Sequence, residues 1–295
     1  MSGFINLHTH SHYSHLDASL KIPQAIEFCK DNGVTAMALT DHGTLSGTYK
    51  LWNECNDNDI KPILGIEAYY VDDLNKNEGL VDYGYSHICI FCKNKQGWEN
   101  LKRLHFQSWK EGYLKKPRVS WDMLKKYHEG LIVSTACVGG LIGHIMFDEN
   151  YYSLKSDNER KQAIKSRVKK FKKLFKDDFY FEIMLNEMPE QKKLNKKIIK
   201  LAKKYKIRTI VTNDVHYIGK EDWELHDIIK CTSRRAMLTD EDNGTYDIKE
   251  LYLCTKNDLW KFCKKYHKYI SKKRLKHYIK NVNRLSDKIE EFAMK

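Results

Sequence analysis

The sequence has no long apolar stretch and no secretory signal. None of its hydrophobic runs approaches the roughly 18 residues that a membrane-spanning helix requires. The N-terminal sequence MSGFINLHTH also lacks the charged and then apolar segments of a signal peptide. We therefore expect a soluble, cytoplasmic protein without a membrane partner.

Disulfide bonds are also not expected in this chain. Its eight cysteines are spread over 295 residues, a length that can bury a large core without covalent cross-links. Cys89 and Cys92 form a CxxC pattern, but it lies in the strand-like run HICIFC. Residues three apart in a strand point to opposite faces, so these two thiols are not expected to share a metal ion. We expect all eight cysteines to be reduced.

Positive charge is in excess. Lysine and arginine number 52 against 39 aspartates and glutamates, a formal net charge of +13, while 41% of the residues are hydrophobic. The hydrophobic content indicates a folded globular protein, and the charge favours a polyanionic partner such as nucleic acid. Lysine-rich, solvated helix faces would give the same composition.

Short apolar runs alternate with helical patterns along most of the chain. Strands are predicted over Phe4–His8, Ala36–Thr40, Pro62–Tyr70, Ile88–Cys92, Leu131–Thr135, Phe179–Leu185 and Arg208–Thr212. Helices are predicted over Gln24–Asn32, Thr44–Asn56, Lys95–Trp109, Trp121–Tyr127, Leu154–Phe175 and Glu190–Tyr205, and a polar loop over Asp72–Gly84. This alternation predicts an α/β fold with a parallel sheet closed into a barrel, whose ligands collect at the C-terminal ends of the strands.

Nine side chains of the types that bind metals lie beside these apolar runs. They are His8, His10, Asp17, His42, Glu67, His87, Cys137, Asp214 and His216. Most follow a strand directly, where a barrel would bring them to a common centre. Glu67 lies within its strand and His87 begins one, so the barrel must be distorted or these strands offset.

The residue types themselves indicate a transition-metal centre. Imidazoles, carboxylates and one thiolate suit zinc, manganese or iron, whereas magnesium and calcium prefer oxygen ligands. A carboxylate such as Glu67 can bridge two ions, and paired ions catalyse phosphoryl transfer to water without a side-chain nucleophile. Asp41 is expected to orient a histidine. The predicted catalytic residues are therefore Glu67, Asp214 and Asp41.

Several motifs together resemble one known family. They are HTHSHYSHLDA at 8–18, LTDHG at 39–43, GIEAY at 65–69, H-x-x-x-F-x-K-N at 87–94, GYLKKPR at 112–118, EGLIVSTAC at 129–137, TNDVHY at 212–217 and ELYLCT at 250–255. In this order and spacing they are similar to the PHP (polymerase and histidinol phosphatase) domain. More narrowly, they resemble the version at the N-terminus of bacterial C-family polymerase III alpha subunits.

The resemblance implies a distorted (β/α)7 barrel with three metal ions. Carried over by position, it implies one ion on His8, His10, Glu67 and Asp214. A second ion would share Glu67 and take His87 and Cys137. The third would bind Asp17, His42 and His216. The intact set of ligands implies retained catalysis with two or three zinc or manganese ions, or iron.

The same resemblance points to substrate-binding residues and a domain boundary. The KKPR loop matches a stretch near the family's active site, so Lys116 and Arg118, with Tyr13, are expected to contact the substrate. The barrel domain is predicted over residues 1–255. A basic helical extension packed on it is predicted over residues 256–295, with aromatic residues among lysines that either face the core or track DNA. After Tyr217 the sequence offers no paired aspartates of a polymerase palm, so the chain is not expected to polymerise.

Three functions are compatible with these features. The first is a metal-dependent 3′–5′ exonuclease of the proofreading type, acting on single-stranded DNA or mismatched 3′ ends. The second is a small-molecule phosphomonoesterase of the histidinol phosphatase type, which has no need of the positive charge. The third is a non-catalytic module that stabilises a separately encoded polymerase. The positive charge and the intact ligand set favour the exonuclease.

Overall fold

Eight strands form one curled sheet in the described part of the chain, residues 3–75, 84–147, 156–241, 243–246 and 248–294 of this computed structural model. The strands are β1 (Ala36–Leu39), β2 (Lys61–Val71), β3 (Ser86–Cys92), β4 (Tyr113–Leu114), β5 (Lys116–Ser120), β6 (Leu131–Ser134), β7 (Phe179–Met184) and β8 (Thr209–Thr212). They are ordered β4-β5-β2-β3-β6-β7-β8, and β1 also pairs with β2. The α/β fold class and its barrel-like sheet are confirmed.

Helices surround this sheet. They are α1 (Ile22–Asp31), α2 (Thr48–Asn56), α3 (Lys95–Lys110), α4 (Trp121–Tyr127), α5 (Gly143–Phe147), α6 (Asp157–Phe175), α7 (Pro189–Tyr205), α8 (Trp223–Arg234), α9 (Lys256–Tyr266) and α10 (Lys272–Asp287). The start of the predicted helix Leu154–Phe175 and most of the predicted loop Asp72–Gly84 lie outside the described residues. Among the described helices, none combines the length and the apolar character that crossing a membrane would take.

Polar side chains fix where several helices begin. Ser156 accepts a hydrogen bond from the Glu159 backbone, and the Glu159 carboxylate accepts one in return from the Ser156 backbone, which caps α6. Asn94 accepts from the backbone N–H of Gly97 at 3.0 Å and caps α3. These bonds satisfy N–H groups that have no partner within the first turn of a helix.

The direction of β3 differs from the prediction. The sequence predicted a parallel sheet, but β3 runs antiparallel to both of its neighbours, β2 and β6. An antiparallel strand can return alongside its neighbour without a crossover helix, and β3 pairs with β2 in this way. The reversal explains why a candidate ligand, His87, lies at the start of its strand. The start of an antiparallel strand lies at the same edge of the sheet as the ends of its neighbours.

The predicted strand Phe4–His8 is also not a regular strand. The segment is buried, and it is joined to β1 and β8 by isolated bonds rather than by a ladder. The Thr40 N–H donates to the Thr9 carbonyl at 2.8 Å, and the Val215 N–H donates to the His8 carbonyl at 3.0 Å. These bonds place the first histidines between the ends of the two strands.

The C-terminal helices share the core of the barrel. Apolar side chains of α9 and α10, including Leu259, Val282 and Leu285, belong to the same buried cluster as the strands. Asn281 of α10 donates to the Thr209 carbonyl of β8 at 2.9 Å. The predicted boundary between residues 255 and 256 remains a prediction.

Candidate metal centre

All nine predicted ligands lie at one end of the sheet. They come from the segment that follows residue 7, the turns after β1, β6 and β8, the middle of β2 and the start of β3. Strand β2 is long and continues beyond the end of β1, so Glu67 forms a bridge with His42, which follows β1. A residue in mid-strand therefore reaches the edge where the other ligands lie.

The inner part of the cluster consists of Glu67 and Asp214, which face His8 and His10. His8 Nε2 lies 3.2 Å from both Glu67 Oε1 and Asp214 Oδ1. His10 Nε2 lies 3.3 Å from Glu67 Oε2 and from Asp214 Oδ1. These four side chains are the set predicted for the first ion.

His87 and Cys137 approach Glu67 from another side. His87 Nδ1 lies 3.2 Å from Glu67 Oε1. Cys137 lines a cavity together with Glu67, His87 and Asp214. A Cβ atom added to Gly139 would lie 3.9 Å from both Cys137 Sγ and His87 Nδ1, so the two donors flank the same glycine. The structure thus brings together the set predicted for the second ion.

Asp17, His42 and His216 form the outer part of the cluster. Asp17 Oδ2 lies 2.8 Å from His42 Nε2 and 3.3 Å from His216 Nε2. The other ring nitrogen of His42, Nδ1, lies 2.8 Å from Glu67 Oε2. His42 therefore links the outer set to the shared carboxylate.

The atoms at the centre of this cluster lack satisfied hydrogen bonds. Within the described residues, the buried atoms without a hydrogen-bond partner include His8 Nε2, His10 Nε2, His42 Nδ1, His87 Nδ1, Asp214 Oδ1 and both Glu67 oxygens. Burying so many polar atoms without partners is costly, and such groups are usually bonded or metal-bound. The converging nitrogen, oxygen and sulfur donors fit divalent transition metals.

The electrostatics of the cluster favour positive charge at its centre. Burial alone raises the pKa of Glu67, yet the facing rings of His87, His8 and His42 hold it well below its usual value. Burial lowers the pKa of His42, but Glu67 and Asp17 outweigh it and raise that pKa to about 9. The carboxylates thus favour the protonated form of His42 when no cation compensates their charge.

Two chains of hydrogen bonds determine which ring nitrogen of His8 and of His10 is available to bind a metal ion. His8 Nδ1 lies 2.7 Å from Glu182 Oε1, a carboxylate that also accepts from the hydroxyls of Ser134 and Thr212. A proton on Nδ1 then leaves Nε2 as the ligand atom. Carboxylates commonly orient metal-binding histidines in this way.

His10 is oriented through a serine rather than by Asp41 directly. Ser14 Oγ donates to Asp41 Oδ1 at 2.8 Å and lies 3.2 Å from His10 Nδ1. Asp41 also accepts from the backbone N–H of Ser11 at 2.7 Å. The structure therefore places Asp41 beside the loop that carries His10, outside the group of candidate ligand atoms.

Four residues near the centre were not predicted from the sequence. Glu182 and the thiol of Cys89 lie beside His8, with Cys89 Sγ 3.4 Å from Nδ1. Lys230 donates to Asp17 Oδ1 at 2.7 Å, and the buried ring of His226 lies 5.2 Å from that of His216. Glu182 is detectable as the one acid in the apolar run FYFEIM, and His226 and Lys230 share a face of α8 through their i, i+4 spacing.

A groove leads from the solvent to the outer part of the cluster. Its volume is about 560 Å³, and Tyr13 and Lys116 line it together with Asp17, His42 and His87. Arg118, predicted to contact the substrate with them, is buried instead, and its Nε donates to the Gly112 carbonyl at 2.9 Å. Residues two apart in a strand point to the same face, so Lys116 and Arg118 of β5 share a face. Lys116, at the start of the strand, is exposed, whereas Arg118 is buried.

A second, smaller cavity of about 270 Å³ reaches the inner part of the cluster. Glu67, Cys137 and Asp214 lie at one end of it, and Met184, Ile248 and Leu251 provide much of its wall. The two openings differ in chemistry, since lysines and tyrosines line the larger one and apolar side chains the smaller one.

The sequence model of the PHP domain matches residues 6–186 of the chain. Among curated proteins, the chain is 34% identical over 267 residues to the DNA polymerase III subunit alpha of Aquifex aeolicus, covering 88% of this chain and 22% of that protein. It is 33% identical over 296 residues to the subunit of the same name from Borreliella burgdorferi, covering 99% of this chain and 24% of that protein. The chain therefore spans no more than about a quarter of the length of either relative.

Solved structures resemble the chain more distantly. One is a protein from Bifidobacterium adolescentis named as a metal-dependent phosphoesterase, with a TM-score of 0.44 and 14% sequence identity. The similarity covers 72% of this chain and 87% of that protein.

Proposed function

Because the chain belongs to the PHP domain family, we propose that it is a metal-dependent phosphodiesterase. Its proposed activity is that of a 3′–5′ exonuclease on single-stranded DNA or on mismatched 3′ ends, of the proofreading type. The relatives named DNA polymerase III subunit alpha support a replicative polymerase as its partner.

The observation that carries this proposal is the set of buried nitrogen and oxygen atoms that converge around Glu67 without forming regular hydrogen bonds. Four histidine nitrogens lie within 3.3 Å of its two oxygens. A cluster built only for stability would pair these atoms with hydrogen-bond partners. Ligand atoms that converge without such partners are expected where cations bind.

The nine residues would hold two or three divalent ions, with zinc and manganese as the first candidates and iron as the next. Such ions, when bound in pairs, lower the pKa of water and neutralise charge on a phosphate. Glu182 and Ser14 keep the inner histidines in the tautomer that offers Nε2. Lys230 holds Asp17 in place and adds a positive charge where the groove meets the cluster.

The groove supports an extended anionic substrate. Lys115, Lys116 and Lys230 line it, whereas Asp17 is its one carboxylate among the described lining residues and is already bonded to Lys230. A backbone of phosphates entering the groove would therefore meet mainly positive charge. Tyr13 lines the same groove and is proposed to contact the substrate next to the cluster.

A phosphomonoesterase is the second candidate. The cavity of about 270 Å³ beside Cys137 and Asp214 could hold a small molecule with an apolar part. Such an enzyme would make no use of the lysines that line the larger groove.

Two assays distinguish these functions. The purified chain, supplied with zinc and manganese, is incubated with a single-stranded oligonucleotide and, separately, with p-nitrophenyl phosphate. We expect shortening of the oligonucleotide, its loss in chelator, and little hydrolysis of the monoester. Hydrolysis of the monoester alone would favour the phosphomonoesterase. If neither substrate were hydrolysed, both catalytic functions would be contradicted and the non-catalytic module would remain.

A further inference from the structure

Two large aromatic side chains are exposed at the rim of the groove. Trp109, near the end of α3, has 48% of its surface exposed, and Tyr113 of β4 has 55%. Their rings are stacked, with centroids 5.5 Å apart and planes inclined by 18°. Both line the groove that reaches His42 and His87. Large exposed aromatic groups beside a polar site indicate a binding surface.

A hydrogen bond links Trp109 to the turn that carries the candidate ligand His42. Its indole N–H donates to the carbonyl of Gly43 at 3.2 Å and also faces His105 Nε2 at 3.0 Å. Gly43 is the residue after the candidate ligand His42. The hydrogen bond fixes one edge of the indole relative to the cluster.

The tyrosine is held from the other side. Tyr113 pairs with Pro117 in the short antiparallel ladder between β4 and β5. The same hairpin carries Lys116, whose Nζ lies 5.3 Å from the centre of the Tyr69 ring. The aromatic pair and the lysine therefore line the same part of the groove.

We propose that Trp109 and Tyr113 form a stacking site for nucleobases of a single-stranded nucleic acid whose backbone follows the groove lysines. Exposed rings beside lysines bind bases of any sequence, because every base has a face that stacks. Interior bases of a duplex are already stacked and paired, so the site selects strands whose bases are free. This inference rests on the proposed exonuclease function and adds the part of the substrate that is recognised.

Charge and position favour nucleic acid over a partner protein at this surface. An interface for a protein would also expose aromatic residues, and Phe106 and Leu114 nearby are 59% and 43% exposed. However, the stacked pair lies in the same groove as three lysines and the candidate ligands, which is where a strand would run. A protein bound there would cover the entrance to the centre.

Binding of labelled oligothymidylate in chelator, where no cleavage occurs, tests the proposal. We expect Trp109→Ala and Tyr113→Ala each to weaken binding by roughly five-fold to a hundred-fold. Tyr113→Phe keeps a stacking ring and should restore binding. Tyr49→Ala is the matched control, because Tyr49 is 59% exposed and stacked on Trp52 but does not line the groove.

A second strand, identical except for abasic sites at its 3′ end, separates stacking from other roles. The wild-type chain should bind it more weakly than the complete strand, and each alanine variant should discriminate less between the two strands. Unchanged affinity in both alanine variants, or an equal loss for both strands, would overturn the stacking site and favour a protein interface. Cleavage is measured separately, so a chain that stacks bases without cutting the strand would refute only the exonuclease function.

Discussion

Glu67 is shared by every part of the proposed centre. Its two oxygens lie within 3.3 Å of His8, His10, His42 and His87, and the side chain is 1% exposed. No other described carboxylate faces four histidines. The proposed bridging role follows from this position.

Replacing Glu67 with glutamine should reduce turnover of the oligonucleotide by orders of magnitude, because it removes a charge shared by the metal ligands. Asp214→Asn should have a similar effect. The fold should persist, since burial of an extensive apolar core stabilises it. Activity and circular dichroism are the measurements.

The matched control is Glu250→Gln. Glu250 is also buried, but its carboxylate accepts a hydrogen bond from the Tyr266 hydroxyl at 2.7 Å and is not among the candidate ligands. Near-normal cleavage by Glu67→Gln, or an equal loss in the control, would refute the assignment of Glu67.

Metal uptake near neutral pH should release protons. Burial lowers the pKa of His42, but Glu67 and Asp17 raise it to about 9, so the metal-free ring is protonated at pH 7. A protonated nitrogen cannot bind metal, and zinc affinity should therefore rise between pH 6.5 and 9. In the metal-free protein, the stabilisation from this ring is fully present below about pH 6.5 and is lost as the pH rises through about 9.

Calorimetric titration with zinc in two buffers of different ionisation enthalpy measures the released protons. His42→Asn should release fewer than the wild-type chain. Equal proton release by the two proteins would show that the His42 proton is not displaced by metal.

At the scale of elements, strand direction decides which residues meet. The antiparallel β3 brings His87 to the edge where β1, β6 and β8 end. The turn after β1 is equally specific, because Gly43 has φ +61° and packs against Tyr69 and Pro117. These two features allow ligands from distant parts of the chain to converge.

Gly43→Ala should lower activity as well as stability. A Cβ at this position would lie 2.8 Å from the Tyr69 ring and 2.9 Å from Pro117, next to His42 and the Trp109 hydrogen bond. Gly33→Ala is the control, since Gly33 has a similar φ of +59° but no atom within 4 Å of the added Cβ. Both variants should lose roughly 1 kcal/mol of unfolding free energy or more from left-handed strain.

Only Gly43→Ala should also impair cleavage. Thermal denaturation and oligonucleotide turnover are the two measurements. Equal activity in the two variants would mean that crowding at Gly43 does not disturb His42.

The sequence was sufficient to predict what depends on local patterns. Helix α4 was predicted at its observed bounds, and β2 and α3 within one or two residues, because apolar periodicity and caps are local signals. The direction of β3 and the burial of Arg118 depend on tertiary pairing, which apolar runs do not encode. The irregular segment at Phe4–His8 was missed for the same reason, since it is apolar but bonded only at isolated points.

The candidate site shows the same division. Its nine ligand types were identified from motif order and from their positions beside apolar runs, and the structure brings them together. Glu182, Lys230 and the Trp109–Tyr113 pair were not identified, because their roles depend on neighbours far away in the sequence. Single residues of these types are common without any function.

For the whole molecule, the number of ligands sets the expected metal content. Nine converging donor side chains exceed what one tetrahedral site uses. We expect two or three equivalents of zinc or manganese per chain after supplementation, and loss of activity in chelator that returns with metal. Elemental analysis that finds less than one equivalent would contradict a multi-metal centre.

The net charge of +13 and the lysine-lined groove predict how the chain engages a strand. Each phosphate contact releases counterions, so cleavage should weaken as salt rises. A pocket for a free phosphomonoester would show little dependence on salt.

The most direct test of the proposed exonuclease is a time course on a 5′-labelled single strand at two salt concentrations, with and without a 3′ block. For a 3′–5′ exonuclease we expect products that shorten progressively from the 3′ end, release of mononucleotides, protection by the block, and slower cleavage at higher salt. Internal cuts, shortening from the 5′ end, or equal cleavage of blocked and unblocked strands would contradict it.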